Sequence, residues 1–455
     1  MRSFDVVVIG SGPAGEVVAG RLGGAGLEVA LIEDRLVGGE CAYWACMPSK
    51  ALLRPAEVLA EVRRIPGAAE AVTGSLDVAA VLRRRDEVIH DLDDATQLPW
   101  LEEAGVVLFR GRGTVTAERT VQVEGGETLE ARRAVVLASG SRALVPPIEG
   151  LREAEPWTNV EATTAKRAPD SLVVLGGGVV GVEMAQAYAS FGTHVTVVEA
   201  LDRLIAREEP FASEQVADAL RERGVTVQVG RRATRVERAA GAVAVTLEDG
   251  TIATGEELLV AIGRRPSTAA VEALGYEPGK PVDVDHQGRS ARHDWLWAVG
   301  DVNGIAPLTH MGKYQARLVA DAISGRRDDP AQQLANGALS PRVIFTDPQV
   351  AAVGHTLQSA RDAGIAARAV DVGTSTNAGG SFYGRGAPGT ARIVIDDARG
   401  VIAGATVTGA DVADFLHAFT IAVVAEVPLE RLWHAVPPFP TRSELWLRLL
   451  ETAGL

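Results

Sequence analysis

The same five-part unit occurs twice in this chain. Asp5-Val6-Val7-Val8-Ile9 is a short β-branched run, the pattern of a buried parallel strand. It leads into Gly10-Ser11-Gly12-Pro13-Ala14-Gly15, a helical Ala/Val/Leu pattern to Leu22, a second apolar run Val29–Ile32, and Glu33. Leu172–Leu175, Gly176-Gly177-Gly178-Val179-Val180-Gly181, a helical stretch through Glu183, and His194–Val198 ending at Glu199 repeat that order. In both copies the first glycine stands 23 residues before the acid. A strand–glycine turn–helix–strand unit of this kind binds dinucleotides. Gly10 and Gly176 permit the tight turn, Gly12 and Gly178 let the backbone approach a pyrophosphate, and Gly15 and Gly181 let helix and strand pack closely. The helix starts at Pro13 and Ala14, and at Val179 and Val180, face the phosphates; Glu33 and Glu199 suit a ribose hydroxyl pair. Two such units predict an α/β chain with two Rossmann-like three-layer domains. They mean two nucleotide cofactors, or a cofactor and a donor. Glu199 favours NADH because it would repel a 2′-phosphate, while nearby Arg203 leaves NADPH open.

At 455 residues the chain is long enough for two or three domains. The net charge of −14 opposes nucleic acid and anionic membranes. No apolar run reaches the roughly 20 residues that span a bilayer, so no membrane insertion is expected. Phe4 enters a strand directly, with no charged-then-apolar leader before it. Two cysteines in so long a chain suggest a reducing compartment, with cytoplasm the default, and a catalytic rather than structural pair. No metal site is expected.

Both cysteines lie in Gly38-Gly39-Glu40-Cys41-Ala42-Tyr43-Trp44-Ala45-Cys46-Met47-Pro48-Ser49-Lys50. A disulfide needs Cα atoms within about 7 Å, whereas five helical residues rise about 7.5 Å and turn to another face. A bridge here requires an irregular turn, for which Gly38-Gly39 supplies backbone freedom. Pro48 is tolerated in a first helical turn, and Ala51-Leu52-Leu53 continues a helix-friendly run. A cysteine at a helix start is a reactive thiolate. By spacing alone, two unrelated buried thiols remain the plainer reading. The whole stretch says more. It resembles the redox-active segment of the class I pyridine nucleotide-disulfide oxidoreductases, the family of dihydrolipoamide dehydrogenase, glutathione reductase and mercuric reductase. Their motif runs GG-T-C-x-N-x-G-C-x-P-[ST]-K, and this chain departs from it at Glu40, Tyr43 and Ala45.

The resemblance extends along the chain. Val135–Ser141 resembles the family's domain-crossing A-T-G-S element, and Leu258–Pro266, including Gly263, its exit from the nucleotide domain. Trp297–Val302 resembles its second FAD motif, in which Asp301 would bond the flavin's ribityl chain. Leu308, Thr309 and His310 would open a helix aimed at the flavin, with Thr309 as its N-cap. Val343–Gly354 resembles the start of its interface domain. The resemblance implies FAD, NADH or NADPH as donor, and a homodimer. Residues 1–150 and 267–337 would form the FAD domain, 151–266 the NAD(P) domain and 338–455 the dimer domain. Gly39, Glu40, Gly113, Ser139 and Gly140 would join the FAD site. Cys46 would touch the flavin, Cys41 would face the substrate as its disulfide partner, and Lys50 would pair with Glu183 near N5. Helices are expected over Ala51–Arg64 and Val78–Leu98.

Phe439-Pro440-Thr441-Arg442-Ser443-Glu444 resembles the family's closing H-P-T-x-S-E, with Phe439 in the histidine place. In relatives that histidine, supplied by the other subunit and oriented by the glutamate, is the acid–base for the thiols. Its loss predicts dihydrolipoamide oxidation slower by about 10²–10⁴-fold and leaves Glu444 without its partner. The expectation is electron flow from NAD(P)H through FAD to Cys41–Cys46 and on to a small-molecule acceptor: a quinone stacked on Tyr43, Trp44 and Phe439, a disulfide or a metal ion. Thiol oxidation with a different base, and a low-turnover redox sensor, are the alternatives.

Overall fold

In the computed structural model, which describes residues 1–326, 335–384, 386–387 and 389–455, the chain divides into two compact units. The first comprises Met1–Pro48, Asp86–Leu144 and Arg264–Gly337; the second comprises Ser49–Arg85, Val145–Gly263 and Ala338–Leu455. The architecture is mixed α/β.

In the first unit, β1 (Arg2–Ile9) pairs in parallel with β2 (Val29–Glu33) on one side and with Thr128–Leu137 on the other. β2 in turn pairs with β3 (Val106–Arg110). Leu296–Ala298 adds to Thr128–Leu137. Val6 and Val8 feed one apolar cluster, with Val18, Ala19 and Leu22 of α1 (Pro13–Gly23). Val7 and Ile9 feed another, with Phe109 and Leu137. Two covered faces explain why the run Val6–Ile9 is apolar without alternation.

The cysteine segment forms two helices, α2 (Gly39–Tyr43) and α3 (Cys46–Arg64). Gly38 and Gly39 take φ of +114° and +62°, and Trp44 (φ −136°, ψ 4°) breaks the helical path between the cysteines. This is the irregular turn the spacing demands.

The second expected helix ends early, at Val88 rather than Leu98. His90, Asp91 and Leu92 take left-handed φ. Asp94 is drawn away to accept the Val37 amide at 2.7 Å and to pair with Arg110 at 2.6 Å. Those bonds outweigh the apolar spacing that favoured a longer helix.

In the second unit, Thr226–Gln228, His194–Val198, Ser171–Leu175 and Glu257–Val260 form a parallel sheet in that order, with helix Val179–Ser190 following the glycine turn. Ala233–Ala239, Ala242–Leu247 and Ile252–Gly255 form an antiparallel meander. The C-terminal segment contributes a five-stranded antiparallel sheet. It is covered by Leu416, Phe419 and Val423 of one helix and Leu449 of the last. No helix among the described residues is long and apolar enough to cross a membrane.

Candidate active site

The first glycine turn fits a dinucleotide for reasons visible in its backbone. Gly10 has φ +99°, and a Cβ on Gly15 would lie 1.9 Å from the Gly10 carbonyl oxygen. Gly12 has an ordinary φ of −65°, and the nearest atom to a Cβ there is Gly39 Cα at 4.0 Å. The fold therefore does not itself require glycine at Gly12; the open space suits a ligand against the backbone. Glu33 Oε2 accepts from the amide and hydroxyl of Ser11, each at 2.8 Å, and Oε1 accepts from the Arg35 amide at 2.8 Å.

Farther along the first unit, Ser141 Oγ donates to Asp301 Oδ2 at 2.5 Å. Arg264 donates through Nε to Ser141 Oγ at 2.7 Å and pairs with Glu40. The Ser139 hydroxyl donates to the Ser267 carbonyl at 2.7 Å, and Gly140 has φ +68°. A Cβ on Gly113 would press on Ile9 and Ile32 at 3.2 Å, so that glycine serves packing.

Cys41 and Cys46 are hydrogen-bonding neighbours and are not joined in a disulfide. The Cys46 Sγ lies 3.3 Å from Thr309 Oγ1. Thr309 is not the N-cap expected: Leu308 caps, Thr309 is the first residue of helix Thr309–Ser324, and its hydroxyl turns to the thiol. His310 is exposed beside it. The hydrogen bond with Cys46, then burial, push the Cys41 thiol up; Thr309 and the Lys313 ammonium act the other way. Glu16, in the first turn of α1, is pushed up to about 7 by burial, against the pull of Lys313 and with a smaller push from Glu33.

Tyr43 and Trp44 do not line an open thiol pocket, as the sequence suggested. They are 1% and 6% exposed, and the Arg35 guanidinium covers the Trp44 ring at 3.6 Å. Burial, then the nearby charges of Asp94 and Glu16, raise the Tyr43 phenol to about 12. Both rings are spent on the interior of the first unit.

In the second unit, Lys50 Nζ lies 2.8 Å from Glu183 Oε2. Glu183, only 3% exposed, also accepts the Phe345 amide at 2.9 Å, and Lys50 sits 4.6 Å from the centre of the Phe345 ring. The second glycine turn repeats the first. Gly176 has φ +107°, a Cβ on Gly181 would lie 1.9 Å from the Gly176 carbonyl oxygen, and nothing lies within 4 Å of a Cβ on Gly178. Val179 and Val180 open the helix. Glu199 accepts from the amides of Gly177 at 2.6 Å and Leu201 at 2.7 Å. Arg203 instead donates to the Ala206 carbonyl at 2.7 Å. Gly263, at φ +149°, is exposed. In the C-terminal segment Phe439 is 75% exposed, and Glu444 Oε2 is buried with no hydrogen-bond partner among the described residues.

Sequence reading did not single out Ser141, Arg264 or Phe345, whose partners are far away in the chain. It also passed over Glu16, although a charged residue directly after the glycine turn is a visible signal.

Comparison with known proteins places these features in one family. Residues 4–322 match the model of pyridine nucleotide-disulphide oxidoreductases, and residues 340–449 match the dimerisation domain of the same proteins. A dihydrolipoyl dehydrogenase of Chlamydia muridarum is 30% identical, covering 98% of this chain and 96% of the relative. A mercuric reductase of Staphylococcus aureus is 27% identical over 97% of this chain and 81% of its own. Among solved structures, the Cu(II) complex of the HOCl-induced flavoprotein disulfide reductase RclA of Escherichia coli superposes with a TM-score of 0.85 at 25% identity, covering 99% of both chains.

Proposed function

The chain belongs to the pyridine nucleotide-disulphide oxidoreductase family and is an FAD-dependent, NAD(P)H-driven disulfide oxidoreductase, and on that premise we propose that it carries electrons from NADH to Cys41 and Cys46 and on to a small disulfide. One observation carries this reading. The two thiols adjoin each other at a helix break, with Thr309 Oγ1 against Cys46. Such a pair forms an internal disulfide by giving up two electrons and two protons, and exchanges with an external one through a mixed disulfide.

FAD is assigned to the first glycine turn, with Glu33 for its ribose and Asp301 for its ribityl chain. When bound, it would supply two-electron redox chemistry between the donor and the thiols. Lys50 is held by Glu183 at 2.8 Å. NADH is assigned to the second turn: Glu199 is fixed by two backbone amides where a 2′-phosphate would sit, and Arg203 is turned to a carbonyl. The burial of Tyr43 and Trp44 argues for a disulfide over a stacked quinone. The C-terminal dimerisation domain supports a homodimer, and a cytoplasmic location suits a chain whose two cysteines form a redox pair.

An anaerobic NADH titration of the yellow protein tests the core of this. The expected result is uptake of two electrons with a long-wavelength thiolate-to-flavin band, absent from Cys46→Ser. Simple bleaching of the flavin, identical in Cys46→Ser, would remove the cysteines from the path. An acceptor screen on the same protein compares oxidised lipoamide with a quinone, Cu(II) and Hg(II).

A further inference from the structure

Glu40 stands where the motif of the relatives has threonine, which exchanges a neutral hydroxyl for a negative charge beside a cofactor that is itself an anion. The position is crowded against the first glycine turn. Gly39, the residue before it, takes φ +62°, and a Cβ there would lie 2.6 Å from the Gly12 Cα. Gly12 is the glycine whose open face suits a pyrophosphate, so the first turn of α2 stands at the edge of that ground. An uncompensated carboxylate there would repel the pyrophosphate.

The fold answers that charge. Glu40 forms an ion pair with Arg264. Arg264 is itself held: its Nε donates to Ser141 Oγ and its Nη2 to the Ser141 carbonyl oxygen, each at 2.7 Å. Backbone pairing brings the two residues together, because Arg264–Pro266 runs antiparallel to Ser141–Ala143. Ser141 Oγ donates onward to Asp301 Oδ2 at 2.5 Å, and that oxygen lies 3.9 Å from Arg264 Nε. One guanidinium thus serves carboxylates from two other segments, a task that suits its planar fork of donors. The side chains of Glu40, Arg264 and Asp301 are 27%, 29% and 26% exposed, so the network borders open space rather than the core.

We propose that Arg264 is a positioning residue for the cofactor: it holds the Glu40 carboxylate against the Ser141 network and cancels its charge, so that the pyrophosphate of FAD can lie against Gly12. This rests on the assignment of FAD to the first glycine turn. Glu40 and Arg264 act as one neutral unit, and Glu40 opposes FAD only when Arg264 is lost. An arginine that gripped the pyrophosphate itself would behave differently, because its removal would weaken FAD whatever residue stood at position 40.

The test dilutes the FAD-loaded dimer and reads released flavin by its fluorescence, which gives a Kd for FAD without any turnover. Arg264→Gln should raise that Kd by about 10-fold in ~0.05 M salt but by about 3-fold or less in ~0.5 M salt, because an unmasked charge bordering solvent is screened. Glu40→Gln should stay within about 2-fold of wild type, and the double variant Arg264→Gln with Glu40→Gln should return to that value. Arg264→Lys keeps a cation without the fork on Ser141 and should lose only about 2–3-fold; with and without Glu40→Gln it carries the same comparison if Arg264→Gln folds poorly. An equal loss of FAD from the Arg264 variants in both Glu40 backgrounds, or no loss in either, overturns the proposal. Gly12→Leu, which fills the open face of the turn, tests the premise. If it holds FAD as tightly as wild type, the assignment of FAD to this turn has failed; if it loses FAD while the Arg264 variants ignore the residue at position 40, only the role of the pair is lost.

Discussion

Glu183 shows how one carboxylate is fixed from two directions. One oxygen takes the Lys50 ammonium and the other the Phe345 amide, in surroundings that leave it 3% exposed. Glu183→Gln keeps an acceptor for the amide but removes the charge that orders Lys50. The expected cost is on the order of 1–2 kcal/mol, because Lys50 remains partly in water. It should appear as a lower urea midpoint at unchanged slope; an unchanged midpoint would mean that the pair adds nothing to stability. Glu16 makes a prediction of opposite sign. Its carboxyl stands at about 7 in the fold against 4.5 as an ordinary value, so the folded state binds the extra proton. The stability this contributes is complete below about pH 4.5 and is lost as pH rises through about 7. Glu16→Gln should therefore raise Tm more at about pH 8 than at about pH 5, a difference worth at most ~3 kcal/mol. A pH-independent shift would show that Glu16 titrates normally.

At the scale of the element, the two glycine turns make equivalent demands for different cofactors. A Cβ on Gly15 or on Gly181 would come within 1.9 Å of the carbonyl oxygen of the turn's first glycine, so the helix must move off its strand. Overpacking of that kind costs about 1–3 kcal/mol and misaligns the helix start that a pyrophosphate requires. Gly181→Ala is expected to remain yellow and to be reduced normally by dithionite while its reduction by NADH slows by more than about 100-fold. Gly15→Ala is expected to lose FAD. Loss of flavin from Gly181→Ala, or normal NADH reduction, would show that the turns have been assigned to the wrong nucleotides.

At the scale of the whole molecule, the C-terminal segment exposes apolar side chains that a lone chain gains nothing by showing. Val436 is 83% exposed, Phe439 75% and Ile421 54%. In a homodimer these would be covered, and light scattering should give about twice the 47.7 kDa chain mass. The double substitution Val436→Asp with Phe439→Asp should shift that mass toward a single chain at low concentration; an unshifted mass would place the interface on other residues. Much of this protein was legible in sequence because its signals are local. A β-branched run, a GxGxxG turn and an acid at fixed distance specify each nucleotide unit through backbone geometry alone, whereas the break between Cys41 and Cys46 falls at Trp44, which no local signal marks. The end of the second expected helix was not legible, because Asp94 is pulled out of it by Val37 and Arg110, which lie near it only after folding. Neither was the fate of Tyr43 and Trp44, whose spacing says nothing about which side of a helix break faces the core. The links from Glu183 to Phe345, from Thr309 to Cys46 and from Arg264 to Glu40 join residues distant in sequence. Pattern sets the elements because hydrogen bonding and periodicity are short-ranged; only the tertiary packing decides which charges and thiols meet.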